Sequence, residues 1–423
     1  MSLSHDQYYP RIMDEIIKNR LSRTGALLIE GPKWCGKTTT AEALCSSAIY
    51  LQDPDYRDYY LAQSRDQPSA LLKGDYPRLI DEWQDIPRIW DAIRFDIDRS
   101  NSRGRYILTG SNTPDETARE EIKHSGAGRI ARINMRTMSL YESKESTGDV
   151  SLKGLFDGCI RYDSLSSVTL KTLAFALCRG GWPSTMSMEP NESLGVARDY
   201  VDSVVYEDVS RIDGIRRNPD VVMTLMRSLA RNTCTLANTT TITDDLKGMA
   251  SRPTVAGYIN ALKDIFVVDD VSPWTPSLLS KARLRMSCKR CFSDPSIATA
   301  SLGISPESLI RDMPSFGSLF ESLVIRDLRV YSQVMDGSVH HYHDTTGLEV
   351  DAIITINDGR WCAIEVKLNG GVDEGARNLI RFKDKTKLAD GSSPSFLAVI
   401  TGTGFYHVRP DGVIVVPIGC LGP

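Results

Sequence analysis

The sequence predicts an α/β protein of three domains, at residues 1–147, 148–310 and 311–423. Three observations support this prediction. An apolar run at residues 25–30 passes through a glycine-containing loop into a helical pattern, which indicates a buried parallel strand followed by a helix. Apolar side chains then recur at helical spacing through most of the middle third. Residues 348–368 finally read as two strands around a turn, which predicts a β-hairpin.

Composition and charge exclude several classes of protein. The 423 residues include 50 Lys and Arg against 54 Asp and Glu, a formal net charge of −4, which argues against a globally basic protein that coats nucleic acid. No apolar run reaches the roughly 18 residues of a transmembrane helix, and the charged N-terminus does not resemble a secretory signal peptide. The nine cysteines are scattered, which favours free thiols in a reducing compartment. We therefore expect a cytoplasmic protein with no membrane partner.

Two groups of residues offer weak candidates for zinc. Cys288 and Cys291 form one CxxC, but no second pair completes the roughly four ligands of a structural site. Three histidines occur in a strand-like run, where alternation places His341 and His343 on one face and His340 on the other. Buried thiols and ordinary strand histidines are the favoured interpretations.

The motif at residues 31–38 predicts a nucleotide site. The segment reads GPKWCGKT and fits GxxxxGK(S/T) at every fixed position, between the strand and the helix that this motif requires. Gly31 and Gly36 allow the backbone to turn its N–H groups toward phosphate oxygens. Lys37 is expected to reach the β- and γ-phosphates of ATP, and the Thr38 hydroxyl to bind Mg²⁺. The expected nucleotide contacts are Gly31, Pro32, Lys33, Trp34, Cys35, Gly36, Lys37, Thr38 and Thr39.

An acidic pair and a polar strand end complete the predicted nucleotide site. Asp81 and Glu82 end an apolar run, where Asp81 is expected to hold Mg²⁺ through water and Glu82 to orient or deprotonate the attacking water. The next predicted strand, at residues 105–112, ends in polar side chains, one of which is expected to sense the γ-phosphate. The sequence leaves that choice open among Thr109, Ser111 and Asn112, with an ordinary polar turn as the alternative.

Three strings resemble a family of bacterial and archaeal AAA+-type ATPases: IDEWQDIP at 80–87, ILTGSN at 107–112 and GAGRIARINMRTMSLYE at 126–142. That family has a Walker B strand of Asp-Glu-x-Gln before a proline, a Leu-Thr-Gly-Ser sensor strand, and a closing Gly-Arg and Pro-Leu-Ser-x-x-Glu-like stretch. This chain departs at residues 137–140, where it lacks the usual proline. The resemblance implies a P-loop ATPase domain. It makes Arg129 a candidate phosphate-contacting or interface arginine, with a surface salt bridge as the alternative.

The middle domain shows the order helix, turn, helix, strand between residues 243 and 273, which is the order of a winged helix. Thr243 is expected to begin the first helix, and Thr254, after Pro253, to cap the second. Such units bind DNA through the second helix or serve as packing modules, and the few charges on this helix favour packing. A basic stretch follows, which suits either contact with backbone phosphates or a solvated strand face. Its members are Lys281, Arg283, Arg285, Lys289 and Arg290.

The predicted C-terminal hairpin aligns charged side chains on one face. Asp351 lies on the first strand, and Glu365 and Lys367, two residues apart, lie on the second. A three-residue loop at residues 357–359 would place Asp351 opposite Glu365, whereas a two-residue loop would separate them. Gly359 suits the left-handed position of the three-residue loop. We therefore expect the register in which Asp351 lies opposite Glu365.

This pattern of Asp followed by Glu-x-Lys resembles the PD-(D/E)XK nuclease superfamily. There, two carboxylates hold Mg²⁺, which activates a water, and the lysine positions or deprotonates that water. An acid from a preceding helix often joins them, and Glu321 matches it here. The resemblance implies catalytic roles for Asp351, Glu365 and Lys367, and metal binding by Glu321, Asp351 and Glu365. A strand pair with surface charges and a nuclease-like fold that does not cut are the alternatives.

Two main functional hypotheses follow from these patterns. The first is an ATPase that uses ATP and Mg²⁺ and is coupled to a nuclease-like domain acting on DNA. The second is an ATP-controlled binding or regulatory protein whose nuclease-like fold is inert. A DNA-binding regulator acting through the winged helix is a weaker third, and an oligomer is compatible with all three.

Overall fold

A computed structural model of the chain describes residues 8–114, 120–159, 164–276, 287–390 and 393–423. The α-helices within these ranges are α1 (Ile12–Leu21), α2 (Lys37–Glu42), α3 (Arg57–Asp66), α4 (Ile89–Ser100), α5 (Leu152–Phe156), α6 (Leu170–Arg179), α7 (Pro190–Ser203), α8 (Val209–Arg211), α9 (Pro219–Arg231), α10 (Thr239–Asp245), α11 (Arg252–Asp264), α12 (Pro295–Leu302), α13 (Pro306–Arg311), α14 (Met313–Ser332) and α15 (Val372–Asp390). None of them combines the length and apolar character that crossing a membrane requires.

The strands of the same ranges form the sheets of the protein. They are β1 (Ala26–Glu30), β2 (Ser47–Tyr50), β3 (Arg78–Asp81), β4 (Tyr106–Gly110), β5 (Ile130–Asn134), β6 (Val150–Ser151), β7 (Ser272–Pro273), β8 (Ser338–His343), β9 (Glu349–Thr355), β10 (Trp361–Lys367), β11 (Leu397–Thr401), β12 (His407–Val408), β13 (Ile414–Pro417) and β14 (Leu421–Gly422).

The chain divides into two compact units, each with its own sheet. Unit 1 comprises Met1–Thr137, Tyr206–Arg217 and Asn260–Val267. Unit 2 comprises Met138–Val205, Asn218–Ile259 and Val268–Pro423. Two short segments from the predicted middle domain therefore fold with the N-terminal part of the chain.

The sheet of unit 1 is parallel throughout, with the strand order β2-β3-β4-β1-β5. β1 lies between β4 and β5, and its last residue, Glu30, lies beside Gly110 of β4 and Asn134 of β5. Because the carboxyl ends of parallel strands share one edge, the loop after Glu30 meets the residues that follow Asp81 and Gly110 at that edge. The predicted strand, loop and helix around the motif are confirmed.

The apolar face of α4 lies in the core of unit 1. Side chains three and four positions apart share one face of a helix, and those of α4 are buried together: Ile89, Trp90, Ile93 and Ile97. The ring centroids of Trp90 and Trp83 lie 4.6 Å apart. Burial of one such side chain contributes roughly 1.5–3 kcal/mol. Because Trp83 directly follows the acidic pair, this packing anchors the end of β3.

Unit 2 contains a seven-stranded mixed sheet in the order β12-β13-β11-β10-β9-β8-β7. In its β9–β10 hairpin, Thr355 lies opposite Trp361 and Ala352 opposite Ile364. Gly359 has a left-handed φ of +89° in the connecting turn. This is the predicted three-residue-loop register, and it is confirmed. If this pairing is extended by one residue beyond Ala352 and Ile364, Asp351 lies opposite Glu365.

Both helices of the predicted winged helix are present, but each begins earlier than expected. α10 begins at Thr239 because Asn238 caps it, accepting a hydrogen bond from the Thr241 N–H at 3.0 Å. α11 begins at Arg252, so Pro253 occupies its first turn, where a missing N–H breaks no helical hydrogen bond. The two threonines predicted as helix caps therefore lie inside helices.

The strand predicted after α11 is reduced to the two residues of β7. Phe266 has a left-handed φ of +58°, which interrupts an extended backbone. β7 then pairs in parallel with β8 as the edge of the seven-stranded sheet. Three members of the predicted basic stretch lie outside the described residues: Lys281, Arg283 and Arg285.

Candidate functional site

Both glycines of the phosphate loop are required by the backbone. Gly31 has a φ of +153°, and a Cβ there would lie 2.1 Å from the carbonyl oxygen of Met135. The Met135 N–H donates to the carbonyl of Glu30 at 2.7 Å, so pairing between neighbouring segments sets this close approach. Gly36 has a left-handed φ of +98° at the start of α2. A side chain at either position would strain the loop.

Lys37 turns its ammonium inward across the loop. The side chain is buried, and Nζ donates to the carbonyl oxygens of Gly31 at 3.0 Å and Pro32 at 2.9 Å. These partners are neutral, so phosphate oxygens would offer this ammonium stronger, charge-assisted hydrogen bonds. The loop and its lysine therefore fit a triphosphate.

Arg11 supports the loop from a position that sequence reasoning missed. Its guanidinium is buried and donates to the carbonyl of Cys35 at 2.8 Å and to that of Arg136 at 2.9 Å. These bonds join the loop to the segment after β5. Arg11 precedes α1 and belongs to no recognisable motif, so no sequence signal marks it.

Thr38 and Asp81 meet at the carboxyl edge of the sheet. The hydroxyls of Thr38 and Thr109 each donate to Asp81 Oδ1 at 2.7 Å. Burial raises the pKa of the Asp81 carboxyl above its ordinary value, although these two hydrogen bonds oppose the shift. A hydroxyl and a carboxylate are hard oxygen donors of the kind that Mg²⁺ prefers. The residues present therefore fit the predicted magnesium role.

Glu82, the residue after Asp81, is held by its backbone conformation and by hydrogen bonds with Thr109 and Ser111. Its backbone is left-handed, with φ 52° and ψ 53°, and its N–H donates to the Thr109 hydroxyl at 3.0 Å. The Glu82 carboxylate accepts a hydrogen bond from Ser111 Oγ at 2.8 Å and another from the Gln84 side-chain amide. Of the three polar candidates on the next strand end, Thr109 thus contacts Asp81 and Ser111 contacts Glu82.

A second lysine of the loop is paired with an acid far along the chain. Lys33 Nζ donates to Asp208 Oδ1 at 2.5 Å, and both residues belong to unit 1. The Asp208 side chain is 8% exposed, whereas that of Lys33 is 43% exposed. Trp34, the next loop residue, is exposed. Asp208 sits in an ordinary amphipathic stretch, so no sequence signal pointed to it.

Arg129 lies near the amino ends of the strands, whereas the phosphate loop follows the carboxyl end of β1. It precedes β5, and Ala26, at the start of β1, pairs with Ile130. The phosphate loop follows the opposite end of β1, a strand length of roughly 15 Å away. The Arg129 guanidinium instead donates to Asp98 at 2.7 Å, and its side chain is 47% exposed. Arg129 is therefore not among the residues that the fold gathers around the phosphate loop of its own chain.

The C-terminal carboxylates gather in unit 2 around a lysine. The Nζ atom of Lys289 lies 2.6 Å from Glu321 Oε1, 3.1 Å from Glu349 Oε1 and 3.6 Å from Asp351 Oδ1. The lysine side chain is 0% exposed. Burial alone would lower the pKa of Lys289, but the carboxylates of Glu321 and Asp351 raise it above its ordinary value. The ammonium therefore stays charged within the cluster.

The remaining predicted residues lie beside this cluster. Glu365 Oε2 accepts from Lys367 Nζ at 3.0 Å, and Glu365 Oε1 accepts from the Asn378 amide at 2.7 Å. Asp351 Oδ2 accepts from the Val366 N–H at 2.8 Å. Burial, followed by the charge of Asp351, raises the pKa of Glu365 to about 7. The fold therefore brings together all four residues of the nuclease-like pattern.

The carboxylates of this cluster do not fit the predicted divalent metal. Lys289 was expected in a basic stretch that contacts phosphate or solvent, and instead its ammonium lies among the acids. In the described ranges, no three His, Cys, Asp or Glu side chains form a group suited to hold a metal ion. The metal role of Glu321, Asp351 and Glu365 stays a prediction, and the Lys289 ammonium beside Glu321 and Asp351 counts against it. The physical reason is that a cation already neutralises the oxygens that a metal would use.

The side chains of the two candidate zinc groups form no metal-binding cluster among the described residues. Cys288 is exposed and Cys291 is buried, with its Sγ 3.8 Å from Cys234 Sγ. His340 Nδ1 lies 2.8 Å from Ser272 Oγ. His341 is buried, and its Nε2 lies 3.1 Å from a backbone carbonyl. These contacts are those of packed thiols and strand histidines.

Three models of known protein families match separate parts of the chain. Residues 23–144 match the model of an AAA domain. Residues 170–308 and 316–421 match two models described as domains of unknown function, DUF8612 and DUF4143.

Among individual proteins, two mycobacterial chains resemble much of this one. They come from Mycobacterium tuberculosis (strain ATCC 25618 / H37Rv) and Mycobacterium bovis (strain ATCC BAA-935 / AF2122/97), and both are described as uncharacterized proteins. Each is 22% identical over 352 residues, which cover 83% of this chain and 72% of the relative. Among solved structures, the Walker-type ATPase of Pyrococcus abyssi is similar at a TM-score of 0.44 and 12% identity, over 70% of this chain and 97% of that one. The AAA domain match and the phosphate-loop geometry together support placing residues 23–144 among the P-loop ATPases.

Proposed function

We propose that the chain binds ATP with Mg²⁺ through residues 31–38 and hydrolyses it. The observation that carries this proposal is the 2.7 Å hydrogen bond between Thr38 and Asp81. It joins the two predicted magnesium ligands at the carboxyl edge of the sheet, next to the loop that holds the Lys37 ammonium. This combination of phosphate loop and acidic strand end is the arrangement that phosphoryl transfer requires.

Each residue of the site has a defined role in this proposal. Lys37 and the loop N–H groups hold the phosphates, while Thr38 and Asp81 hold the Mg²⁺. Bound Mg²⁺ neutralises charge that develops on the phosphate oxygens. Glu82 orients or deprotonates the attacking water. Ser111, which donates to the Glu82 carboxylate at 2.8 Å, is a positioning residue for that glutamate.

The test is the change Lys37→Ala. Losing an ammonium that makes charge-assisted bonds is expected to weaken ATP affinity by at least about 2 kcal/mol, or roughly 30-fold. Titration with a fluorescent ATP analogue measures this loss, and phosphate release measures hydrolysis. Lys18→Ala, at an exposed lysine of α1, is the matched control and is expected to behave like the unchanged protein. Retained ATP binding by Lys37→Ala would contradict the proposal.

A second proposal concerns what ATP controls. The contacts in unit 2 favour a binding or regulatory output over a coupled nuclease, because the lysine expected to act on water, Lys367, is paired with Glu365. Plasmid and linear DNA incubated with Mg²⁺ and ATP are expected to remain intact. The double change Asp351→Ala and Glu365→Ala identifies any contaminating nuclease. Cleavage that disappears in the double variant would instead establish the coupled nuclease.

A further inference from the structure

The acid cluster of unit 2 contains its own cation. Three carboxylates, from Glu321, Glu349 and Asp351, lie within 3.6 Å of one ammonium. The carboxylates come from two elements, α14 and β9, and the ammonium comes from the segment before α12, which carries Lys289. An ammonium surrounded in this way occupies the position where oxygen ligands from different elements would otherwise converge on a metal.

The backbone fixes this lysine in place. The Lys289 N–H donates to the carbonyl of Val271 at 2.9 Å, and the Val271 N–H donates to the carbonyl of Lys289 at the same distance. This reciprocal pair is an antiparallel bridge. The Lys289 side chain itself is 0% exposed.

The second oxygen of Asp351 and both oxygens of Glu365 have partners without a metal. Asp351 uses its second oxygen to accept from the Val366 N–H. Glu365 uses both of its oxygens, one for Lys367 and one for Asn378. A divalent ion would have to displace these donors and would also be repelled by the Lys289 ammonium.

We propose that Lys289 is a built-in replacement for a divalent cation, so that unit 2 keeps the carboxylates of a nuclease-like site as a metal-free ion cluster. The cluster then serves to hold α14 against the β-sheet of unit 2, and phosphodiester hydrolysis through a metal-activated water is not its function. This inference concerns unit 2 alone and is independent of ATP hydrolysis at the phosphate loop.

Mn²⁺ binding to the full chain without nucleotide tests the proposal directly. Electron paramagnetic resonance counts the bound ions in the unchanged protein and in Asp351→Asn, which keeps the side-chain shape. Any Mn²⁺ held by the phosphate loop is common to both, so the two numbers are expected to be equal. A site present in the unchanged protein and lost in Asp351→Asn would overturn the proposal.

Removal of the lysine provides the complementary test. Lys289→Met is expected to gain one bound Mn²⁺ per chain, and the further change Asp351→Asn is expected to remove it. Lys367→Met is the matched control, because it deletes a neighbouring ammonium but leaves Lys289 in place, and it is expected to gain none. A folded Lys289→Met, verified by circular dichroism, that takes up no additional ion would overturn the proposal. If Lys289→Met does not fold, the number of Mn²⁺ ions bound by the unchanged protein and by Asp351→Asn still tests the proposal.

Discussion

Lys33 of the phosphate loop donates a 2.5 Å hydrogen bond to Asp208, 175 positions later in the chain. The pair joins the loop to the Tyr206–Arg217 segment of unit 1. It also directs one of the two loop lysines away from the carbonyls that surround Lys37. The charge available to a bound phosphate therefore depends on an acid outside the motif.

The change Asp208→Asn is expected to tighten ATP binding, because it frees the Lys33 ammonium and removes a negative charge near the loop. Since Lys33 is 43% exposed and solvent screens the pair, the expected gain is only about two- to fivefold, or about 0.4–1 kcal/mol. Titration of a fluorescent ATP analogue measures it. The gain is expected to shrink in a Lys33→Ala background and at high salt. Weaker binding by Asp208→Asn would show that the acid supports the loop instead.

The change Glu82→Gln is expected to leave ATP binding intact and to lower hydrolysis by roughly 10²–10⁴-fold, the usual contribution of a general base. The amide cannot accept the proton of the attacking water. Phosphate release under single-turnover conditions measures the chemical step. Ser111→Ala is the companion variant, and it is expected to slow hydrolysis less, since it removes only one hydrogen bond to Glu82. Equal activity of Glu82→Gln and the unchanged protein would assign the base elsewhere.

The change Arg326→Met is expected to destabilise the protein by about 3–5 kcal/mol, because it leaves buried carboxylates without a counter-charge. Arg326 is 3% exposed and contacts Asp294 at 3.1 Å and Asp327 at 2.7 Å, both acids being fully buried. Urea unfolding followed by circular dichroism measures the free energy of unfolding. Arg360→Met, at an exposed arginine, is the control, and no measurable change is expected there. A similar free energy of unfolding for both variants would mean that the contacts of Arg326 with Asp294 and Asp327 contribute little to stability.

Acid is expected to destabilise the fold through His341. Burial, followed by the charge of Lys289, lowers the pKa of this histidine to about 4, against roughly 6.5 in an unfolded chain. The folded state therefore binds the proton less readily, and stability is complete above about pH 6.5 and falls as pH drops toward 4. Its Nδ1 is buried without a hydrogen-bond partner, so protonation would also leave a donor unsatisfied.

Unfolding measured at pH 6.5 and pH 5 checks this expectation. The unchanged protein is expected to lose about 2 kcal/mol more than His341→Gln over that interval, because glutamine does not titrate. His124→Gln, at an exposed histidine, is the control, and it is expected to lose as much stability between pH 6.5 and pH 5 as the unchanged protein. An identical loss in His341→Gln and the unchanged protein would assign the acid sensitivity to other groups.

Residue types and spacings within short segments predicted several features of this protein correctly. The glycines of the phosphate loop, the acidic pair after β3 and the apolar face of α4 are read from residue type and spacing, because backbone sterics and side-chain periodicity act over a few residues. The β9–β10 register followed from a single glycine, Gly359, because the turn alone sets which residues face each other. Together these features defined the predicted nucleotide site and placed the hairpin carboxylates on one face.

Only the tertiary structure decided which charges meet. Lys289 lay in a stretch that looked like a basic surface, yet its ammonium lies within the acid cluster of unit 2. Asp208 reaches Lys33, and Arg129 lies at the edge of the sheet away from the loop. A charged side chain looks the same in sequence whether it is solvated or buried, because its partner is set by packing between distant segments. The sequence by itself determined the phosphate loop and the carboxylates, and the fold determined which cation each carboxylate holds.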